Sequence, residues 1–137
     1  MIPKFRAWDK TENKMWNVET IYIEDEWVKV NDGSIYGITK DLVRDYVLMQ
    51  STGLKDITGD EIYEGDIVKV LVHDIEPKIM KDKMYIGVVA YNQGTFDIKI
   101  SKDTYLGIIP EMYMLDIDCV FRILGNIYEN PELLEDE

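Results

Sequence analysis

The stretch Met49–Val72, MQSTGLKDITGDEIYEGDIVKVLV, constrains the fold more than any other part of the chain, because it holds two turn signals and the most regular strand. Asp56-Ile57-Thr58-Gly59 reads as a tight turn: Asp at the first position can bond the backbone two residues on, and Gly at the fourth can take positive φ. Glu64-Gly65 is a second turn, again with Gly where φ > 0 is needed. Between them Glu61-Ile62-Tyr63 is short and extended. Ile67–Val72 follows as a β-branched strand, with Val68, Val70 and Val72 on one face and Ile67, Lys69 and Leu71 on a mixed, partly covered face. A turn, a Gly-Asp step and a Val-rich strand commonly open a small SH3-like barrel, in which the Asp accepts bonds from turn N–H groups. Turn chemistry accounts for every one of these residues. A ligand loop would need a phosphate-cradling glycine pattern or a nucleophile, and neither is present.

The opening IPKFRAWDK, the central STGLKDITGDEIYEGDIVKV and the closing GNIYENPELL resemble three signatures of the YopX family, small proteins of phages and prophages in Gram-positive bacteria. The resemblance spans the chain. It implies a mostly β protein with a barrel-like C-terminal part, and it carries over no catalytic residue. The segments Glu19–Asp45 and Val72–Met84 match no pattern and are where this chain's own specificity is expected.

At 137 residues the chain is one domain or two small units, here expected as a β-rich subdomain over 1–50 and an SH3-like barrel over 51–137. Such a length buries about two-thirds of the unfolded surface. No apolar run approaches the roughly 18 residues of a membrane span, and the N-terminus lacks the apolar core of a signal peptide. The single cysteine, Cys119, excludes an internal disulfide and fits a reducing cytoplasm. A net charge of −12 argues against general nucleic-acid binding, which depends on neutralising phosphates, and against docking on anionic lipid.

Along the chain, Phe5–Trp8 and Lys14–Val18 read as a hairpin closed by Asp9–Asn13, with Trp8 and Trp16 able to lie across from each other. Thr20–Ile23 and Trp27–Val30 are further strands. Asn31-Asp32-Gly33-Ser34 is a turn, and Ser34–Ile38 returns as a strand. Thr39 is a candidate cap for one helical turn over Leu42–Tyr46, and Val47–Gln50 is a short strand. His73–Lys83 reads as a long mobile loop. Met84–Tyr91, Phe96–Ile100, Tyr105–Ile109 and Cys119–Leu124 are strands, and Asn130-Pro131 caps a short C-terminal helical turn.

The candidate chemistry is sparse. His73 lies beside Asp74, but a lone His without Cys or a second His is far from a zinc set. Asp116 and Asp118 project together on a strand, but lack further ligands. Cys119 has no basic neighbour in sequence to activate it. No catalytic, metal or cofactor site is therefore assigned, and no cofactor is expected. The leading expectation is a non-enzymatic protein-binding or assembly module, self-associating as a homo-oligomer or holding a host or phage protein in the cytoplasm. Its basis is the richness in Tyr and Trp, which interfaces favour. An acidic inhibitor or DNA mimic acting on a host nucleic-acid enzyme is the alternative. A small enzyme or nucleotide binder using the His73 loop or the Asp116/Asp118 pair is the third.

Overall fold

The computed structural model describes residues 4–74, 83–92, 94–101, 104–107 and 117–134. The chain is mainly β. It divides into two compact units, Met1–Ser51 and Thr52–Glu137.

The first unit is built from β1 (Phe5–Asp9), β2 (Lys14–Tyr22), β3 (Trp27–Asn31), β4 (Ile38–Leu42) and the start of β5 (Tyr46–Lys55), hydrogen-bonded in the order β4-β3-β2-β1-β5. Each neighbouring pair among these strands is antiparallel. The expected hairpin over Asp9–Asn13 forms because Asp9 Oδ1 accepts the N–H groups of Thr11 and Glu12 at 2.9 and 3.1 Å, while Asn13, at φ +54°, donates its N–H to the Asp9 carbonyl. Its register sets Trp16 opposite Ala7 and Trp8 opposite Met15. The two tryptophans are therefore not cross-strand partners, because a one-residue offset sends them to opposite faces of the sheet. Trp16 joins Ala7, Val28, Val30 and Tyr46 in the core of this unit.

Three elements differ from the sequence expectation in this unit. The two strands read over Lys14–Val18 and Thr20–Ile23 are one strand, with a register shift between Val18 and Thr20. Residues 34–37 form a loop, and the returning strand starts only at Ile38. Thr39 lies in β4, and the helical turn is a 3-10 turn, Val43–Asp45, whose N-cap residue Leu42 makes no side-chain capping bond.

The strand expected over Val47–Gln50 runs on as β5 to Lys55, and within the second unit β6 (Glu61–Tyr63) pairs with it. The remaining strands are β7 (Asp66–Asp74), β8 (Lys83–Asn92), β9 (Thr95–Ser101), β10 (Thr104–Gly107) and β11 (Ile117–Asn126). They form an antiparallel sheet in the order β10-β9-β8-β7-β11. Among the described residues this sheet is open, with β10 and β11 at its edges, so the expected barrel does not close there. The core consists of Ile62, Val68, Val70, Val89, Ile98 and Phe121.

The two central turns form as read. Gly59 and Gly65 have φ of +91° and +87°. Asp56 does more than shape its turn: Oδ1 accepts from Thr58 N, Thr58 Oγ1 and Asp60 N, and Oδ2 accepts from Ile123 N on β11 at 3.0 Å. Ile57 N–H adds a bond to the Phe121 carbonyl. Asp66, 1% exposed, accepts from Tyr63 N at 2.8 Å, which is the turn-acceptor role its position after Gly65 requires. The C-terminal turn, Pro131–Leu134, is also a 3-10 turn. Asn130 does not cap it in the usual way: its Oδ1 accepts the N–H of Asn126 behind it, against the bare Cα of Gly125.

Candidate functional site

The residues singled out for chemistry come together only in part. His73 is not in a loop; it lies on β7, and the register sets it opposite Asp118 on β11, with Cys119 opposite Val72. Only the backbone of these residues is described, and Asp116 lies outside the described residues. Among the described residues no group of three or more His, Cys, Asp or Glu is placed to hold a metal ion. No helix of the described chain is long and apolar enough to cross a membrane.

The first unit carries the more distinctive surface, and it begins with a loop. Between β3 and β4, Asp32 N–H bonds the Gly37 carbonyl at 2.8 Å, and Gly37 N–H bonds the Ser34 carbonyl at 3.4 Å. The Asp32 carboxylate accepts Ser34 N–H and Oγ–H through Oδ1 at 2.9 and 2.6 Å, and Lys14 Nζ through Oδ2 at 2.7 Å. Lys14, and after it Ser34, hold the Asp32 carboxyl well below the usual carboxylate range. Gly33 supplies positive φ, +87°, and a side chain on Gly37 would strike Asp32. The loop is thus shaped by its polar residues. Its two apolar residues take no part: Ile35 and Tyr36 are 86% and 95% exposed. The tip therefore leaves two adjacent large apolar side chains in water.

At the other end of β4 lies a cavity of about 440 Å³ lined by Ile21, Tyr22, Ile23, Glu26, Leu42, Val43 and Arg44. Its walls are apolar, and Glu26 and Arg44 supply its charge. The cavity exists because Glu26, at φ +58°, bends the β2–β3 connection, and its carbonyl accepts Val43 N–H at 2.9 Å. Ile23 stands beside the cavity, 84% exposed.

β4 joins tip and cavity and is the outermost strand of its sheet, bonded to β3 alone among the described strands. Lys40 lies opposite Lys29, a like-charge pair that would be unfavourable if both ammonium groups stood upright. They diverge: Lys29 pairs with Glu19 at 3.5 Å, and Lys40 Nζ lies 4.3 Å from the Tyr22 ring centroid and 5.6 Å from that of Trp27.

A second, smaller cleft of about 210 Å³ is lined by Asp9, Thr11, Glu12, Asp41, Asp45 and Tyr46. Tyr46 donates its hydroxyl proton to Asp41 Oδ2 at 2.6 Å. Burial first, then the Asp41 bond, pushes the Tyr46 hydroxyl above its ordinary range.

Sequence reasoning missed the tip because Ile and Tyr favour strands. The signal was the glycine on either side, Gly33 and Gly37, with Asp32 and Ser34 positioned to bond the loop's own backbone. The cavity has no local signature, since its walls come from separated segments.

A family model described as YopX protein matches residues 4–135. Among solved structures, the crystal structure of protein EF1440 from Enterococcus faecalis is similar at a TM-score of 0.62 and 34% identity, over 98% of this chain and 99% of that one. The crystal structure of protein yopX from Bacillus subtilis matches at a TM-score of 0.56 and 23% identity, over 96% of this chain and 98% of that one, a likeness of fold. No curated protein matches.

Proposed function

The chain belongs to the YopX family, and from that premise we propose that it is a non-enzymatic protein-binding module of a phage or prophage. In this reading it works in the bacterial cytoplasm by self-association, by holding a phage or host protein, or by both. The observation that carries the reading is the tip: Ile35 and Tyr36 held almost wholly in water by a loop whose polar groups bond one another. Such a loop loses little conformational freedom on docking, and an exposed tyrosine on a fixed backbone is a frequent interface anchor. The test compares wild type with Tyr36→Asp, first by light scattering over a concentration series and then by capture from host lysate with nuclease present. Self-association or a retained protein that is lost in the variant is the expected result. A wild-type chain that stays monomeric and retains nothing overturns the reading.

A second reading, an acidic inhibitor of a host nucleic-acid enzyme, is favoured by one observation. Asp9, Glu12, Asp41 and Asp45 line a single cleft on a chain of net charge −12. Partner binding would then weaken steeply with added salt and survive Tyr36→Asp.

A further inference from the structure

We propose that two copies of this chain pair antiparallel along β4 about a two-fold axis at Thr39, so that the Ile35–Tyr36 tip of each seats against the apolar cavity of the other. The proposal rests on the self-association reading above and gives it a geometry.

The first argument is placement. The tip precedes β4 and the cavity wall Leu42-Val43-Arg44 follows it, so the two apolar features stand at opposite ends of one edge strand. A two-fold axis across that strand exchanges its ends. Each tip then meets the partner's cavity, and the contact closes on itself with no unmatched surface left to propagate.

The second argument is hydrogen bonding. In an antiparallel pair, alternate residues direct both backbone groups to the same neighbour. Gly37 C=O and Val43 N–H both bond toward β3, so Thr39 and Asp41, in step with them, face β3 as well. The N–H and C=O groups of Ile38 and Lys40 consequently point to the open edge. A pairing centred on Thr39 sets Ile38 opposite Lys40 of the partner, twice, and supplies each of these groups with a partner. Thr39 then lies opposite itself in a position without hydrogen bonds, where Cα atoms approach to about 4.5 Å and a Thr–Thr contact is favourable.

The third argument is charge. Because a two-fold normal to the sheet pairs residues of the same face, the axis must fall on a residue. An axis on Lys40 would set two ammonium groups face to face. An axis on Thr39 sets the stem of Lys40 over Ile38 instead, with the Lys40 ammonium already drawn over Tyr22 and Trp27. The lysine that would ordinarily protect an edge strand is turned away from it. Just beyond this pairing the chain turns out of the strand before Ile38, which leaves each tip next to the partner's Leu42–Val43 end, where the cavity lies.

The fourth argument is area. Ile23, Ile35, Tyr36 and Ile38 are 84%, 86%, 95% and 51% exposed. Covering them in both copies removes on the order of 1,000 Å², about the total that a specific interface requires. The driving force is apolar and both copies are acidic, so added salt should leave the dimer as tight or tighter.

The test uses the full chain. Sedimentation equilibrium at low and high salt should give a dimer, and Tyr36→Asp should weaken it at least tenfold. Under mild oxidation Thr39→Cys should crosslink to itself far faster than Glu132→Cys, a variant at an exposed control position. Tyr36 is almost wholly in solvent, so its replacement leaves the fold intact, and the crosslink reports on the axis independently. If the dimer persists in Tyr36→Asp, and Thr39→Cys crosslinks no faster than the control, another surface mediates it. This geometry then falls while self-association stands. A wild-type chain that is monomeric throughout overturns both.

Discussion

The carboxylate of Asp56 accepts the main-chain N–H of Ile123 at 3.0 Å, across 67 residues of sequence. One side chain therefore both closes the turn before β6 and fastens it to β11. A short polar turn becomes part of the tertiary structure of the second unit, and the residue responsible is recognisable from its position ahead of Thr58 and Gly59.

Asp56→Ala leaves the N–H groups of Thr58, Asp60 and Ile123 without this acceptor, and should destabilise the protein by about 3 kcal/mol, measured by urea unfolding at neutral pH. The pH dependence has a definite sign. Desolvation pushes the Asp56 carboxyl up, but the bonds from Thr58, Ile123 and Asp60 together outweigh it and hold the pKa at about 2. A carboxyl lowered in the folded state contributes stability that is fully present above its unfolded value and is lost as pH falls through the folded one. The stability difference between wild type and Asp56→Asn should therefore be constant above about pH 4.5 and shrink between pH 4 and 2.

Two glycines should resist replacement for different reasons. At Gly59 a methyl group would meet nothing within 4 Å, but φ is +91°, so Gly59→Ala should cost about 1–2 kcal/mol through backbone strain alone. At Gly87 a methyl group would come within 2.6 Å of both Ile98 Cγ2 and the Lys99 carbonyl oxygen. Gly87→Ala must part β8 from β9, and it should cost up to about 3 kcal/mol and speed amide exchange along both strands. Gly59→Asn, which tolerates positive φ, should recover part of the loss; Gly87→Asn should be worse than Gly87→Ala.

Tyr46 should ionise late. Burial and the bond to Asp41 raise its hydroxyl. A group whose folded pKa is raised contributes stability below the unfolded value, near 10, that is lost as pH rises through the folded one. Spectrophotometric titration should show a phenolic phase delayed beyond pH 10, reduced in Tyr46→Phe. The same variant should lose about 1 kcal/mol at neutral pH.

What could be read from the sequence follows the range of the interactions involved. Asp56, Gly59, Gly65 and Asp66 act within a few residues of themselves, and their turns were legible. The partner of Asp56 on β11 was not, since nothing near Ile123 announces it. The hairpin carrying Trp8 and Trp16 is legible in the sequence but its register is not, because register depends on the conformation of the Asp9–Asn13 turn. His73 reads as a loop residue in the sequence because Asp74 and the charges beyond it break the Val-rich pattern, yet β7 continues through both, paired to β11. The surface argued to bind falls within Glu19–Asp45, a segment without a motif legible in the sequence alone, although the family model runs through it. Its cavity stayed hidden, because Ile21 and Val43 become neighbours only through the Glu26 bend.

The loop from Asp32 to Gly37 separates shape from display. Its form is encoded by Asp32, Gly33, Ser34 and Gly37, while Ile35 and Tyr36 contribute nothing to the bonds that hold it. In the proposed dimer, altering these two side chains would change the pairing while the bonds that shape the loop stay in place.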